Sequence, residues 1–372
     1  MLIGIDANEA NTSDRVGSNV YSFELLSAIE DLRGNNEYII YLKEEKQTDL
    51  PQERKLFGYR VLKPSFLWTR WRLPLDLFTH HPRPQVFFTP GHYAPQFSPI
   101  PTVITILDLS FLTYPESFKP TALRQLTEWT KQSALNAAHI LTISQASKKD
   151  IVKQYNIAPE KITVTYPGVS SHFRDPISAK AVAAVRAKYQ LHGDYLLFIG
   201  TRQPKKNLPR LVEAFNSVTQ SLSHSVTLVL AGKTWSQFTT EKTKPLPNGV
   251  KDIGFVPDQD LPALIKDSTA FVLPSLYEGF GIPVAEAMTV GTPVIVSNVS
   301  SLPEITGRAG ILVDPHDVAD IARGMTEALS LPAAKRVQFI KAGKLQAKKF
   351  AWRACATKTV EVLENVASRK SA

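Results

Sequence analysis

The residues with the most chemical content lie in one run, Pro274-Ser-Leu-Tyr-Glu278-Gly-Phe-Gly-Ile-Pro-Val-Ala-Glu286. A strand-like segment ends at Pro274, a loop holds Glu278 and two glycines, and Ile282-Pro283 opens a helix, since proline is tolerated in a first helical turn. Glu278 and Glu286 therefore straddle a helix start. Backbone amides and the positive dipole end favour a phosphate there, and Gly279 and Gly281, on either side of Phe280, let the main chain come close to a ligand. Carboxylates do not hold phosphate by charge. The two acids are instead expected to accept hydrogen bonds from hydroxyls on either side of it, and sugar and ribose hydroxyls are the natural donors. Seen singly, Glu286 reads as a solvated helix residue and Glu278 as a cap; the glycines between them turn the balance toward a ligand site.

A second cationic signal is Gly200-Thr-Arg-Gln-Pro-Lys205-Lys206-Asn207. Cations already in place lower most the barrier to a cleavage that leaves negative charge on a phosphate oxygen. The competing reading is a solvated turn. In the first half, Asp14-Arg-Val-Gly17-Ser18-Asn19 follows a first strand and opens a helix, so its glycine and amides could face a diphosphate; the bland reading is a plain helix-start turn. Asp258-Gln-Asp260 looks like an Asp-x-Asp metal motif, yet it directly precedes Leu261-Pro-Ala-Leu-Ile and reads as a helix cap. No metal and no resident cofactor are expected.

These loops need strands to carry them. Short β-rich segments alternate with longer helical stretches twice over, the pattern of parallel sheets covered on both faces by helices. Strands are expected near 2–6, 38–42, 60–62, 86–89, 103–106, 140–143 and 162–165, then near 195–200, 226–231, 251–255, 270–274, 294–297 and 311–314. At 372 residues the chain exceeds one usual hydrophobic core. The expected organisation is an α/β chain of two facing Rossmann-like domains, doubly wound, with a cleft between them: residues 1–175, residues 190–348, and a terminal helix at 349–372 packing across both. In such sheets ligands settle outside the carboxyl ends of strands.

Composition narrows the class further. Hydrophobic residues at 43% and charged residues at 21% suit a globular enzyme rather than a disordered chain. The start, Met1-Leu-Ile-Gly-Ile-Asp6, reads as a buried strand rather than a signal or a span, and the single Cys355 excludes an internal disulfide. A cytoplasmic location is expected. The net charge of +9 points to an anionic partner, and without an RNA-binding signature or basic arm a diphosphate or an acidic membrane face is preferred to nucleic acid.

The order of motifs resembles the family-four retaining glycosyltransferases of the GT-B type. Their Glu-x7-Glu motif matches Glu278 and Glu286, and the likeness extends to Ile104-Thr-Ile-Leu-Asp108-Leu, Ser144-Gln-Ala-Ser147-Lys148, Tyr166-Pro-Gly168-Val169, Gly200 through Leu208, Leu228-Val-Leu-Ala-Gly-Lys233, Gly254-Phe255-Val256 and Ser301-Leu-Pro-Glu304. The resemblance implies that Glu278 contacts hydroxyls of the transferred sugar and that Glu286 holds the nucleotide ribose. It also implies that the main chain of Gly279–Ile282 lines the donor, that Lys205 and Lys206 flank the departing diphosphate, and that main chain near Gly254, Phe255 and Val256 meets the base. Gly17 and Ser18 take the place of the family's glycine loop. One departure stands out: the family usually has a His before Asp108, where this chain has Leu107. His92 is the nearest other candidate by strand-end position, although a lone His is more often structural.

The implied reaction moves a hexose, with mannose slightly favoured, from GDP or UDP to a hydroxyl of a glycan or lipid-linked acceptor with retention of configuration. No well-supported nucleophilic carboxylate emerges at the first-domain strand ends, where Asp108 is the one candidate, so the expected scheme has the acceptor attack on the face the diphosphate leaves. The alternatives are a catalytically idle nucleotide-sugar binder, suggested by Leu107, and an epimerase or phosphorylase on the same plan. Trp68-Thr-Arg-Trp-Arg72 mixes aromatics with cations as interfacial helices do, which allows peripheral contact with the inner membrane face. The favoured reading there is an amphipathic helix with its tryptophans on its own sheet and its arginines outward.

Overall fold

The computed structural model describes residues 1–13, 15, 17–220, 225–232 and 246–369. Asp14 of the glycine loop and Lys233 lie outside the described residues. The chain divides into two units: Met1–Leu109 with Arg124–Gly168 and Ala351–Ala372, and Ser110–Leu123 with Val169–Phe350.

The first unit is built on strands β1 (Leu2–Asp6), β2 (Glu37–Leu42), β3 (Phe57–Val61), β4 (Val86–Thr89), β5 (Thr102–Ile106), β6 (His139–Thr142) and β7 (Ile162–Val164). They form one sheet in the order β3-β2-β1-β4-β5-β6-β7, and every neighbouring pair is parallel. The second unit carries β8 (Asp194–Ile199), β9 (Val226–Ala231), β10 (Val250–Gly254), β11 (Ala270–Leu273), β12 (Val294–Ser297) and β13 (Gly310–Val313), ordered β10-β9-β8-β11-β12-β13 and again parallel throughout. Each expected strand is present within a few residues. Parallel strands need helical crossovers that cover both faces, and β4, β5, β11 and β12 are accordingly buried along their whole length.

The connecting helices are α1 (Ser18–Asp31), α2 (Leu73–Thr79), α3 (Ser110–Thr113), α4 (Pro120–Asn136), α5 (Gln145–Tyr155), α6 (Ala179–Lys188), α7 (Leu208–Thr219), α8 (Leu261–Asp267), α9 (Ile282–Val290), α10 (Leu302–Thr306), α11 (Val318–Leu329), α12 (Ala333–Ala347) and α13 (Trp352–Ser368). Helix α13 belongs to the first unit, where the Trp352 ring packs at a tilt against Tyr21 of α1, 5.8 Å between centroids. A Cβ on Gly168 would fall 2.1 Å from the Trp352 nitrogen, so only glycine lets the chain pass this close. The Cys355 thiol is sealed in the same core, and burial pushes it up to about 12, which leaves it chemically inert near neutrality.

Both sheets reverse their winding direction once. The reversals fall between β1 and β4 in the first unit and between β8 and β11 in the second. A crevice forms outside the carboxyl ends of the strands at such points, because the loops from the two neighbours leave toward opposite faces.

The segment before α2 departs from the favoured expectation. A short π-helical turn over Trp68–Arg72 runs directly into α2. Trp68 does turn inward, donating from Nε1 to Asp6 Oδ2 at 2.9 Å. Trp71, however, faces outward, whereas Arg72 bends back to the Lys63 carbonyl and Arg70 lies over the Trp129 ring. The wide π turn rotates the second tryptophan off the core-facing stripe, and backbone and ring acceptors hold the guanidinium groups.

Candidate functional site

The strongest motifs converge on the reversal point of the second unit. Lys205 and Lys206 sit on a short 3-10 turn after β8, and Glu278 sits on the loop after β11, the strand beside β8. The Lys206 ammonium donates to Glu278 Oε1 at 2.6 Å, and the two side chains are only 14% and 9% exposed. Ser275 Oγ donates to the same oxygen at 2.7 Å. A nearly buried ion pair of this kind is retained at a desolvation cost, which makes it a place to look for chemistry rather than for stability.

The turn is held rigidly. Asn207 adopts a left-handed conformation (φ 62°), which asparagine tolerates better than most residues, and its side-chain amide donates to the carbonyls of Pro274 at 2.9 Å and Pro315 at 2.7 Å. One side chain thereby ties the lysine turn to the ends of β11 and β13. The main chain adds a second tie, from the Leu276 amide to the Lys205 carbonyl at 2.8 Å. The Lys205 ammonium is buried and donates to Ser110 Oγ at 2.9 Å. Residues 110–123 thus help build this site: Tyr114 donates to the Leu276 carbonyl, and its ring lies 6.2 Å from that of Tyr277.

The loop leading into α9 is braced from β12. Ser300 Oγ donates to the Glu278 carbonyl and accepts from the Glu278 amide, while Ser301 Oγ contacts the carbonyls of Glu278 and Phe280. Phe280 packs edge-on against Phe350 at 5.1 Å. Gly281 ends the loop at φ 96°, where a Cβ would stand 2.7 Å from Leu302, and Ile282-Pro283 begins α9 as its Pro-in-first-turn pattern implied. Glu286 lies on α9 and is half-buried.

Three adjacent strands of this sheet end in glycine. Gly200, Gly232 and Gly254 follow or close β8, β9 and β10, linked by bonds from the Gly200 amide to the Ala231 carbonyl (3.0 Å) and from the Gly232 amide to the Gly254 carbonyl (2.7 Å). A Cβ on Gly232 would stand 2.0 Å from the Gly200 carbonyl oxygen. The result is a bare backbone ledge beside the lysine turn. Beyond it, Phe255 is exposed and Val256 is buried.

Asp258 and Asp260 do not cap α8. Asp258 pairs with His172 at 3.1 Å, while Asp260 accepts from Lys188 at 2.6 Å and from the Tyr189 hydroxyl at 2.8 Å, with no side-chain bond to the helix amides. The ammonium and the phenol compete more strongly for the carboxylate than neutral amides do. Among the described residues no group of three or more His, Cys, Asp or Glu side chains is arranged to hold a metal ion. A cavity of about 700 Å³ lined by His172, Asp175, Ser178, Asp258 and Ala263 shares no residue with the Lys206–Glu278 constellation.

In the first unit the reversal point gathers a different set. Gly17 (φ 52°) precedes α1, and nothing stands near where its Cβ would be. Ser18 Oγ and Asn19 Nδ2 donate to Glu9 Oε2 at 3.3 and 2.8 Å, and Arg15 of the same loop is tied to Asp49. Asp6, at the end of β1, accepts from the Asn8 amide, the Asn8 side chain and Trp68. Burial holds the Asp6 carboxyl above the usual range, and desolvation together with the Asp6 charge does the same for Glu9. Sequence reasoning passed over both acids; the signal was an Asp-x-x-Glu spacing at the carboxyl end of the first strand. His92 follows β4 with its ring 6.5 Å from Tyr93. Asp108 follows β5, and the preceding Leu107 offers its carbonyl to Ser147 Oγ at 2.9 Å.

With this geometry in view, two family models match the chain: glycosyltransferase family 4 over residues 17–173 and glycosyl transferases group 1 over residues 185–346. O-antigen chain mannosyltransferase B from Escherichia coli is 34% identical over 310 residues, covering 82% of this chain and 78% of the relative. Serotype-specific mannosyltransferase WbdA from the same organism is 31% identical over 63% of this chain, a match that spans only 29% of that longer protein. Among solved structures, sucrose-phosphate synthase from Thermosynechococcus elongatus superimposes with a TM-score of 0.73 over 99% of both chains at 18% identity. HepE from Anabaena, solved in complex with UDP-glucose, gives 0.73 over 98% of this chain and 100% of its own at 18% identity. The chain belongs to the family-four glycosyltransferases and has the GT-B fold.

Proposed function

We propose that the chain transfers a hexose, with mannose favoured, from a nucleoside diphosphate to a hydroxyl of a glycan or lipid-linked acceptor, with retention of configuration and without a metal ion. The observation that carries the reading is the Lys206–Glu278 pair, fixed at the reversal point of the second sheet beside the start of α9. Two of the relatives are named mannosyltransferases of O-antigen or serotype-specific chains, and HepE was solved with UDP-glucose. These are the grounds for the donor class and for the sugar.

In this reading the diphosphate lies against the start of α9 and the glycine ledge, where amides and the helix dipole neutralise part of its charge. Lys206 and Lys205 take up the charge that develops as the glycosidic bond lengthens. Glu278, with Ser275 already on one oxygen, accepts a hydroxyl of the transferred sugar, and Glu286 accepts the ribose hydroxyls. The main chain at Gly254, Phe255 and Val256 meets the base. The acceptor hydroxyl attacks the anomeric carbon on the face the diphosphate leaves. That carbon gains the acceptor oxygen as it loses the phosphate oxygen, and the departing phosphate takes the hydroxyl proton. Asp108 is assigned no covalent role in this scheme.

The test is a panel of GDP- and UDP-hexoses scored by thermal stabilisation, where a ligand at 100 times its dissociation constant adds about 2.7 kcal/mol. Transfer to a glycan acceptor with the best donor follows, with the product anomer read by NMR. A product of the donor's own anomeric configuration is expected. An inverted product refutes retention. Donor binding without hydrolysis or transfer supports the idle-binder alternative.

A further inference from the structure

The cavity of about 700 Å³ lies wholly in the second unit, between two short pieces of chain. One wall is the stretch 172–178 that leads into α6, and the other is the turn 257–259 that leads into α8. Prolines at 176 and 257 restrict the backbone of both walls. Ser178 Oγ accepts from the Ala181 amide at 3.1 Å and caps α6, which fixes where the first wall turns into helix. Pro262 and Ala263, both buried, make the floor. Two ties join the walls. His172 Nε2 stands 3.1 Å from Asp258 Oδ2, and at the far end of α6 both Lys188 and the Tyr189 hydroxyl reach Asp260, at 2.6 and 2.8 Å. The width of the gap is therefore set by the fold.

The chemistry of the lining selects the ligand. A volume of about 700 Å³ lies within the usual range for small-molecule sites, about 300–1,000 Å³. The chain carries a net charge of +9, yet among the described residues lining this cavity none is Lys or Arg and two are carboxylates, Asp175 and Asp258. A phosphate, a nucleotide or an acidic sugar would be repelled there. A metal ion finds no set of three ligating side chains arranged to hold it. A neutral ligand rich in hydroxyls fits all of this. The carboxylate oxygens and the Gln259 carbonyl accept from hydroxyls, and the Gln259 amide and the Ser178 hydroxyl donate to them. Between these groups the rings of Pro176, Pro257 and Pro262 offer apolar surface for the C–H face of a sugar ring.

We propose that this groove is a second carbohydrate site, which holds a neutral oligosaccharide segment of the glycan that the chain extends, away from the reacting end. The identity of the ligand rests on the reading of the acceptor as a glycan; the groove itself shares no residue with the Lys206–Glu278 site. A glycan held there stays with the enzyme between transfers, and its free end returns to the reacting groups at a raised effective concentration.

The test is calorimetric titration of the full chain, without nucleotide, by α-linked mannotetraose and by the anionic tetragalacturonate. The neutral tetrasaccharide is expected to bind and the acidic one to be refused. The double variant Asp175→Ala with Gln259→Ala should weaken mannotetraose binding by at least about tenfold, since it removes hydrogen bonds to a charged and to a neutral group. Both side chains are exposed, so the melting temperature should stay at the wild-type value. Absence of mannotetraose binding overturns the proposal, as does binding of tetragalacturonate with equal strength. Equal mannotetraose binding by wild type and double variant would put the glycan elsewhere on the molecule and overturn it too. The titration contains no donor, so a failed donor screen leaves its result intact; loss of the groove with donor stabilisation preserved removes this proposal alone.

Discussion

Lys206→Ala removes the ammonium that lies 2.6 Å from Glu278 Oε1 and leaves that carboxylate, 9% exposed, with Ser275 Oγ on the same oxygen. Breaking a buried pair from one side usually costs 3–5 kcal/mol, and the remaining hydroxyl donor argues for the lower end, about 3 kcal/mol. For a unit of this size that is a fall of roughly 6 to 12 °C in Tm. The kinetic effect should be separate and larger than stability explains: loss of one fixed cation at the departing oxygen is expected to lower kcat by about 10²–10³ at temperatures where the variant is folded. Glu278→Gln in the same background relieves the orphaned charge, so the double variant should recover much of the lost Tm while activity stays low. The assay is a thermodynamic cycle of four proteins, with melting and turnover measured on each. A Lys206→Ala variant with wild-type Tm and turnover within a few-fold would refute the reasoning. Recovery of turnover in the double variant would show that the pair serves only the fold.

Three further outcomes follow from the same geometry. Gly232→Ala places a methyl group 2.0 Å from the Gly200 carbonyl at φ 127°, so it should destabilise by on the order of 4 kcal/mol and deplete soluble protein; an unchanged Tm contradicts the ledge. Asn207→Asp replaces a donor with an acceptor between the Pro274 and Pro315 carbonyls, so urea unfolding should show a loss of about 3 kcal/mol, greater than that of Asn207→Ala. His139 is held neutral down to about 4 by burial, with the Arg369, Lys148 and Lys161 charges adding to it, against an ordinary value of 6.5. The unfolded chain therefore takes up a proton there below pH 6.5 that the folded chain refuses until about pH 4. Stability should fall through that window by at most about 3 kcal/mol and level off beneath it. His139→Gln should flatten the Tm profile between those limits; a profile identical to wild type would exclude His139 as the cause.

The strands and their loops could be read because parallel sheets demand long apolar β-branched runs, such as Val294–Ser297, punctuated by Gly, Pro or Asn. The same reasoning placed Glu278 on a loop and Ile282 at a helix start, since Gly281 and Pro283 allow little else. What sequence could not give was the partner of each group. The Lys206–Glu278 contact spans 72 residues, and it depends on β8 and β11 becoming neighbours, which is a property of strand order rather than of any local pattern. Asn207 read as the end of a turn, not as the tie joining the ends of β11 and β13, for the same reason. Asp6 and Glu9 were overlooked because acids after a first strand are common, and only the burial of Asp6 and its closeness to Glu9 distinguish these. Trp71 was assigned inward because an ordinary α-helical period was assumed, and the π turn at Trp68–Arg72 shifts that phase. Asp258 and Asp260 sit where capping residues belong, but His172, Lys188 and Tyr189 reach them first.

The most direct measurement of the central claim is a crystal structure with the nucleoside diphosphate that stabilises the chain most in the thermal screen. The diphosphate is expected within about 3 Å of the main-chain amides at the start of α9 and of the Lys206 ammonium, with the ribose at Glu286. A nucleotide held elsewhere in the second unit, with Lys206 and Glu278 still paired and no phosphate beside them, would contradict the account.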